Sequence, residues 1–128
     1  MCLIIDKKLT ENKLKSSQKT FYKAVEILKK SDGYNANCLR TPYRYYIMDR
    51  PGTQTIPKKE RLKKYDDYVT NGAFHLFTKK VKSMWVVIPV TVTKEDIIIY
   101  GSFGNKECVA VYAYTISEKT WNKIFKEK

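Results

Sequence analysis

The stretch of this chain best suited to chemistry runs from Arg40 to Lys64. Arg40, Tyr43, Arg44, Tyr45 and Arg50 alternate guanidinium groups with phenol rings, and Lys58, Lys59, Arg61, Lys63 and Lys64 follow in the run PKKERLKK. Tyr43 to Asp49 (YRYYIMD) reads as a strand, because tyrosine and isoleucine suit a pleated surface. On that strand Tyr43 and Tyr45 share one face, and Arg44 and Tyr46 share the other. Exposed rings stack on unpaired bases for about 1–3 kcal/mol each while neighbouring cations meet phosphate. The plain structural alternative is that tyrosines are ordinary strand residues, half of them turned to the core. No RNP-type aromatic signature is present, so a standard RNA-recognition sheet is not indicated. Pro57 suits a first helical position, allowing two basic turns over Pro57 to Lys64.

Catalytic candidates are fewer. His75 is the single imidazole, set in GAFHLF between aromatics. That setting fits a base in a cleft, and it equally fits a half-buried strand histidine; no Ser, Cys or carboxylate partner is fixed by spacing. Removal of Met1 would expose Cys2 as a nucleophile, yet Cys2-Leu-Ile-Ile reads as a small residue in a strand. Metal-dependent nuclease chemistry needs clustered carboxylates. Among Asp49, Glu60, Asp66, Asp67 and Asp96 only Asp66 and Asp67 are adjacent, and neighbours on an extended chain point apart. Cys2, Cys38 and Cys108 are widely spaced and odd in number, which fits reduced thiols and no zinc site. No Walker loop, dinucleotide fingerprint or C-x-x-C occurs. A non-enzymatic protein with no cofactor is the expectation.

Charge points the same way. Lys and Arg number 25 against 13 acids, a net +12 in 128 residues. Residues 1–64 hold 16 basic and 6 acidic side chains, net +10, so the excess sits in the first half. Such a half concentrates phosphate, nucleic acid or acidic protein surfaces around it. All but four of the bases are Lys, which favours backbone phosphate as a point charge over base-edge readout by Arg forks.

These residues need a scaffold. With 43% hydrophobic and 13% aromatic content, 128 residues suffice for one domain over 1–128. Met1 to Ile5 has strand character and is too short for a secretory signal. Asp6 to Lys19 lacks an apolar stripe and reads as a mobile connector. Thr20 to Leu28 fits a helix by its spacing of Phe21, Ala24, Val25 and Leu28, and fits a strand by its β-branched and aromatic content. Asn35 to Pro42 reads as loop. Gly72 to Thr78 reads as a strand with Phe74 and Leu76 on one face and Ala73, His75 and Phe77 on the other.

Trp85 to Val92 is an apolar strand whose Pro89 asks for an edge or a bulge. Asp96 to Tyr100 and Cys108 to Ile116 are the clearest strands. In the latter, Val109, Val111, Ala113 and Thr115 alternate with Ala110, Tyr112, Tyr114 and Ile116. Ser117 caps a closing helix with Trp121, Ile124 and Phe125 on one stripe. The expected fold is α+β: a mainly antiparallel sheet of five or six strands with a C-terminal helix. No stretch approaches the roughly 20 apolar residues of a membrane span, so a cytoplasmic protein is expected.

The order MCLII, TFYK, TPY with a tyrosine-rich strand, GAFHLF, VIPV and DIIIYG resembles small proteins of bacteriophages and prophages, especially of Bacteroidetes. The likeness spans nearly the whole chain through short motifs without recognised chemistry. It implies a mobile-element origin. By analogy with other small, charged phage proteins, it implies an anti-CRISPR-like inhibitor acting in the host cell. The partner would be a host CRISPR effector protein, its guide RNA or both, with an RNA-targeting type VI effector as the sharpest version. Two alternatives stand beside it: a general RNA- or single-strand-binding phage protein, and a small nuclease or transferase built on His75.

Overall fold

The computed structural model describes residues 4–15, 18–41, 47–57 and 73–126. Ten strands and two α-helices occur among them, in an α+β fold with an antiparallel sheet and a closing helix. The strands are β1 (Ile4–Ile5), β2 (Thr20–Leu28), β3 (Cys38–Arg40), β4 (Ile47–Met48), β5 (Gly52–Thr55), β6 (Phe74–Phe77), β7 (Val86–Thr91), β8 (Ile97–Phe103), β9 (Lys106–Val111) and β10 (Ala113–Ile116). The helices are α1 (Lys7–Leu14) and α2 (Glu118–Phe125). There are more strands than the expected five or six because short edge strands were not separable by pattern. β3 falls in a segment read as loop, and the Cys108–Ile116 run divides in two.

β2 resolves the helix-or-strand ambiguity in favour of strand. It pairs with β7 from Thr20↔Thr91 to Val25↔Val86, and this ladder overrides the helical spacing of its apolar residues. Phe21, Lys23 and Val25 are buried, and then the alternation breaks, with Leu28 the next buried residue. The break lies where the β7 ladder ends at Val25 and pairing with β3 begins at Glu26↔Arg40.

Strand order β9-β6-β2-β7-β10 leads back to the chain it left, because β9 and β10 are separated by Tyr112 alone. The sheet therefore rolls into a closed ring. Tyr112 makes the corner: its N–H donates to Asp96 O (2.8 Å) and its carbonyl accepts from Ile56 N (2.9 Å). The inward face switches there. Val109 and Val111 enter the main core before the corner, and Tyr114 and Ile116 enter it afterwards. The single alternation expected across Cys108 to Ile116 is thus corrected. An extended strand keeps one parity only while its ladder is unbroken.

The main core gathers Phe21, Val25, Phe74, Leu76, Ile88, Val90, Val109, Val111 and Tyr114, with Trp121 and Phe125 of α2. Phe74 meets Tyr114 edge-on at 5.0 Å between centroids. A second cluster on the opposite face holds Ala73, Ile98, Ile99, Cys108 and Ala110. The expected division of Gly72 to Thr78 holds, with Phe74 and Leu76 in the first cluster and Ala73 and Phe77 with the second. Pro89 sits opposite Tyr22. Among the described residues, the other side of β7 pairs only at Thr91↔Thr115, so Pro89 interrupts no ladder there.

Asp6 to Lys19 is not a structureless connector. Asp6 caps α1 by accepting from Leu9 N (2.9 Å), and Thr10 Oγ1 accepts from Tyr100 N (2.9 Å), pinning the helix to β8. Local capping and these polar ties form α1 without a broad apolar stripe. Ser117 caps α2, accepting from Thr120 N at 3.1 Å. Ser117→Ala is expected to lower unfolding free energy by about 1 kcal/mol in urea titration, with an unchanged m-value.

Candidate nucleic-acid interface

Only part of the predicted binding stretch falls among the described residues. Tyr43, Arg44, Tyr45, Lys58, Lys59, Arg61, Lys63 and Lys64 lie outside them, as do Cys2, Glu60, Asp66 and Asp67. Arg40, on β3, forms an ion pair with Glu26 of β2, so its charge is balanced locally. Arg50 stands beside Asp49 (3.5 Å) with its side chain 85% exposed. A pair so exposed contributes little and leaves the guanidinium open to a larger anion. Ile56, at the end of β5, is fixed to Tyr112 two residues before the basic run begins.

β5 also borders a groove that sequence reading missed. The groove encloses about 650 Å³ between α1, the 18–19 segment, β5, β10 and the 3-10 turn Lys94–Asp96. Tyr100 and Tyr114, both buried, lie along its floor. Its walls carry Lys13, Lys15, Lys19 and Lys94 against Glu95 and Asp96. Four threonines, Thr53, Thr91, Thr93 and Thr115, add hydroxyl groups.

Each wall is held by specific bonds. α1 hangs on β8 through Asp6 N to Tyr100 O (3.0 Å) and the Thr10 hydroxyl, which places Lys13 and Lys15 at one rim. Val92 N donates to Lys19 O (3.0 Å), setting Lys19 beside the end of β7 and the Lys94 turn. Gln18 Nε2 donates to Thr78 O and Thr20 O, both at 2.9 Å. Thr53 and Thr115 hydroxyls bond each other at 2.7 Å across β5 and β10.

The charges divide into committed and available groups. Lys13 pairs with Glu107 at 3.4 Å, and Glu107 also accepts from the Thr78 hydroxyl. Asp96 accepts from Thr93 Oγ1 (2.7 Å). Among the described residues, Lys15, Lys19 and Lys94 form no ion pair, and all three are exposed. Three exposed lysines lining one groove with threonines make an anion-accepting surface suited to backbone phosphate rather than base edges.

His75, the single imidazole, does not line this groove. His75 lies on β6 opposite Ala110, half-buried, on the face of the second cluster. Its carbonyl accepts from Lys23 Nζ at 3.1 Å. Cys108 is buried in the second cluster and its thiol is pushed up to about 11, chiefly by burial. A thiol held protonated at neutral pH is a poor nucleophile.

A signal for the groove existed in the sequence. Asp6 followed by KKLTENKLK is a capped, lysine-rich helix start, but Lys94 lies far along the chain and only the fold brings it to Lys19. Among the described residues, no helix is long and apolar enough to cross a membrane. No protein family, curated protein or solved structure was found to match this chain.

Proposed function

We propose that this chain is a non-enzymatic binding protein that engages the RNA phosphates of a host nucleoprotein immune effector and thereby inhibits it. In this reading the contact surface combines the basic stretch 40–64 with the groove alongside β5. The observation that carries it is the set of three exposed lysines, Lys15, Lys19 and Lys94, that form no ion pair among the described residues and line one groove with four threonines. The net charge of +12 supplies the long-range attraction that brings a polyanion to that surface. The resemblance to phage proteins supports a target in host defence and an effector carrying guide RNA.

Fluorescence anisotropy with a guide-like structured RNA, single-stranded RNA and duplex DNA tests this from about 50 to about 300 mM salt. Expected is binding that weakens steeply with salt and favours RNA, together with loss of guide loading when the protein is added to an RNA-guided effector. Absence of RNA binding at physiological salt would move the basic half to a protein surface and overturn the reading.

A further inference from the structure

The groove contains a group that a pure phosphate site would exclude. Glu95 is exposed on its wall, directly after Lys94 in the 3-10 turn Lys94–Asp96. Asp96 is engaged by Thr93, whereas Glu95 has no hydrogen-bond or ion-pair partner among the described residues. A carboxylate is acceptor-only, so against a phosphodiester it repels, and it needs donors from the ligand. Ribose hydroxyls are such donors, and the 2′-hydroxyl is the group that separates RNA from DNA. The same pairing of an acidic side chain with a ribose hydroxyl, beside a phosphate site, recurs in nucleotide-binding folds.

The rest of the groove suits the other parts of one nucleotide. Lys15, Lys19 and Lys94 supply charge for phosphate, and of the bonded Thr53 and Thr115 hydroxyls one keeps its O–H to donate while both can accept. Val92 and Ile97 supply apolar lining. A volume of about 650 Å³ lies within the usual range of small-ligand sites, about 300–1,000 Å³. Duplex DNA would present no 2′-hydroxyl to Glu95.

We propose that this groove holds one ribonucleotide unit of an RNA strand, its phosphate on Lys15, Lys19 and Lys94 and its 2′-hydroxyl on Glu95. The inference rests on the RNA-binding reading above and adds the means by which the protein tells ribose from deoxyribose.

The test compares the full chain with its Glu95→Ala variant against a short single-stranded RNA and its all-deoxy counterpart at one salt concentration. The wild-type chain is expected to favour the RNA by about tenfold, the worth of one hydrogen bond to a charged group. Glu95→Ala is expected to bring the two within about twofold while binding DNA as tightly or more tightly, since one repulsive charge is gone. Circular dichroism spectra of the two proteins should superimpose, because Glu95 is on the surface. An RNA preference that survives Glu95→Ala, or a wild type without preference, overturns the ribose assignment and leaves the phosphate reading in place. Failure of the wild type to bind either strand overturns both.

Discussion

Replacing Lys23 with methionine is expected to stabilise the protein at neutral pH and destabilise it in alkali. Lys23 lies on β2 between Phe21 and Val25, facing the interior, with only 7% of its surface exposed. It fills a seam. β2 and β6 pair at Tyr22↔Phe77, and the Lys23 ammonium then reaches His75 O at 3.1 Å where that ladder is lost. Burial lowers its pKa from 10.5 to about 8. Below pH 8 the amine is charged in both folded and unfolded chains, and the folded state bears the full cost of a desolvated ammonium.

That cost is about 3 kcal/mol, at 1.36 kcal/mol per tenfold change in proton affinity. Between pH 8 and 10.5 the unfolded chain holds the proton that the folded chain has released, so stability rises with pH across this window. Methionine removes the cost and also the hydrogen bond to His75, worth about 1 kcal/mol. Lys23→Met should therefore gain about 2 kcal/mol at pH 7 and lose about 1 kcal/mol above pH 10. Urea titrations of both proteins at several pH values measure the difference directly. Taking the difference removes the opposing titrations of Cys108, pushed up to about 11, and Tyr100, pushed up to about 12, both chiefly by burial. A gap that does not change with pH would show that Lys23 is not a desolvated cation.

The second large effect is on binding. Joint replacement of Lys15, Lys19 and Lys94 by glutamine should weaken single-stranded RNA binding about a hundredfold at low salt and flatten the slope of log K against log salt by about 2. All three side chains are exposed and none is ion-paired among the described residues, so the fold should persist. Thermal melting checks this independently. An unchanged slope would place the phosphate contacts elsewhere, with Arg50 and the 58–64 run next in line.

Much of the scaffold is legible in the sequence because its signals are local. Phe74 and Leu76 alternate with His75 and Phe77 as a half-buried strand must, Ser117 announces its helix, and Trp121 and Phe125 fall on one stripe. What escapes is set by distant partners. Nothing near Thr20 to Leu28 shows that β7 will claim its first six residues and β3 its last three. Nothing near Tyr112 shows that Asp96 and Ile56 will take its backbone groups and turn the strand over. The groove is hidden for the same reason: two of its exposed lysines flank the 16–17 segment, and the third lies beyond β7. Read linearly, Lys15 and Lys19 are solvent-exposed residues of a polar connector.

The closed ring also dictates when the protein can fold. β2 leaves the ribosome early, but its partners β6 and β7 come much later, and the ring shuts only when β9, Tyr112 and β10 have emerged. β1 waits longer still for its place, since Ile4 pairs with Ser102. Contacts so distant in sequence carry a high loop-closure cost and belong to slow, millisecond-to-second folding. Phe21 and Val25 therefore stay uncovered until β6 and β7 have been made, and ring closure waits for β10.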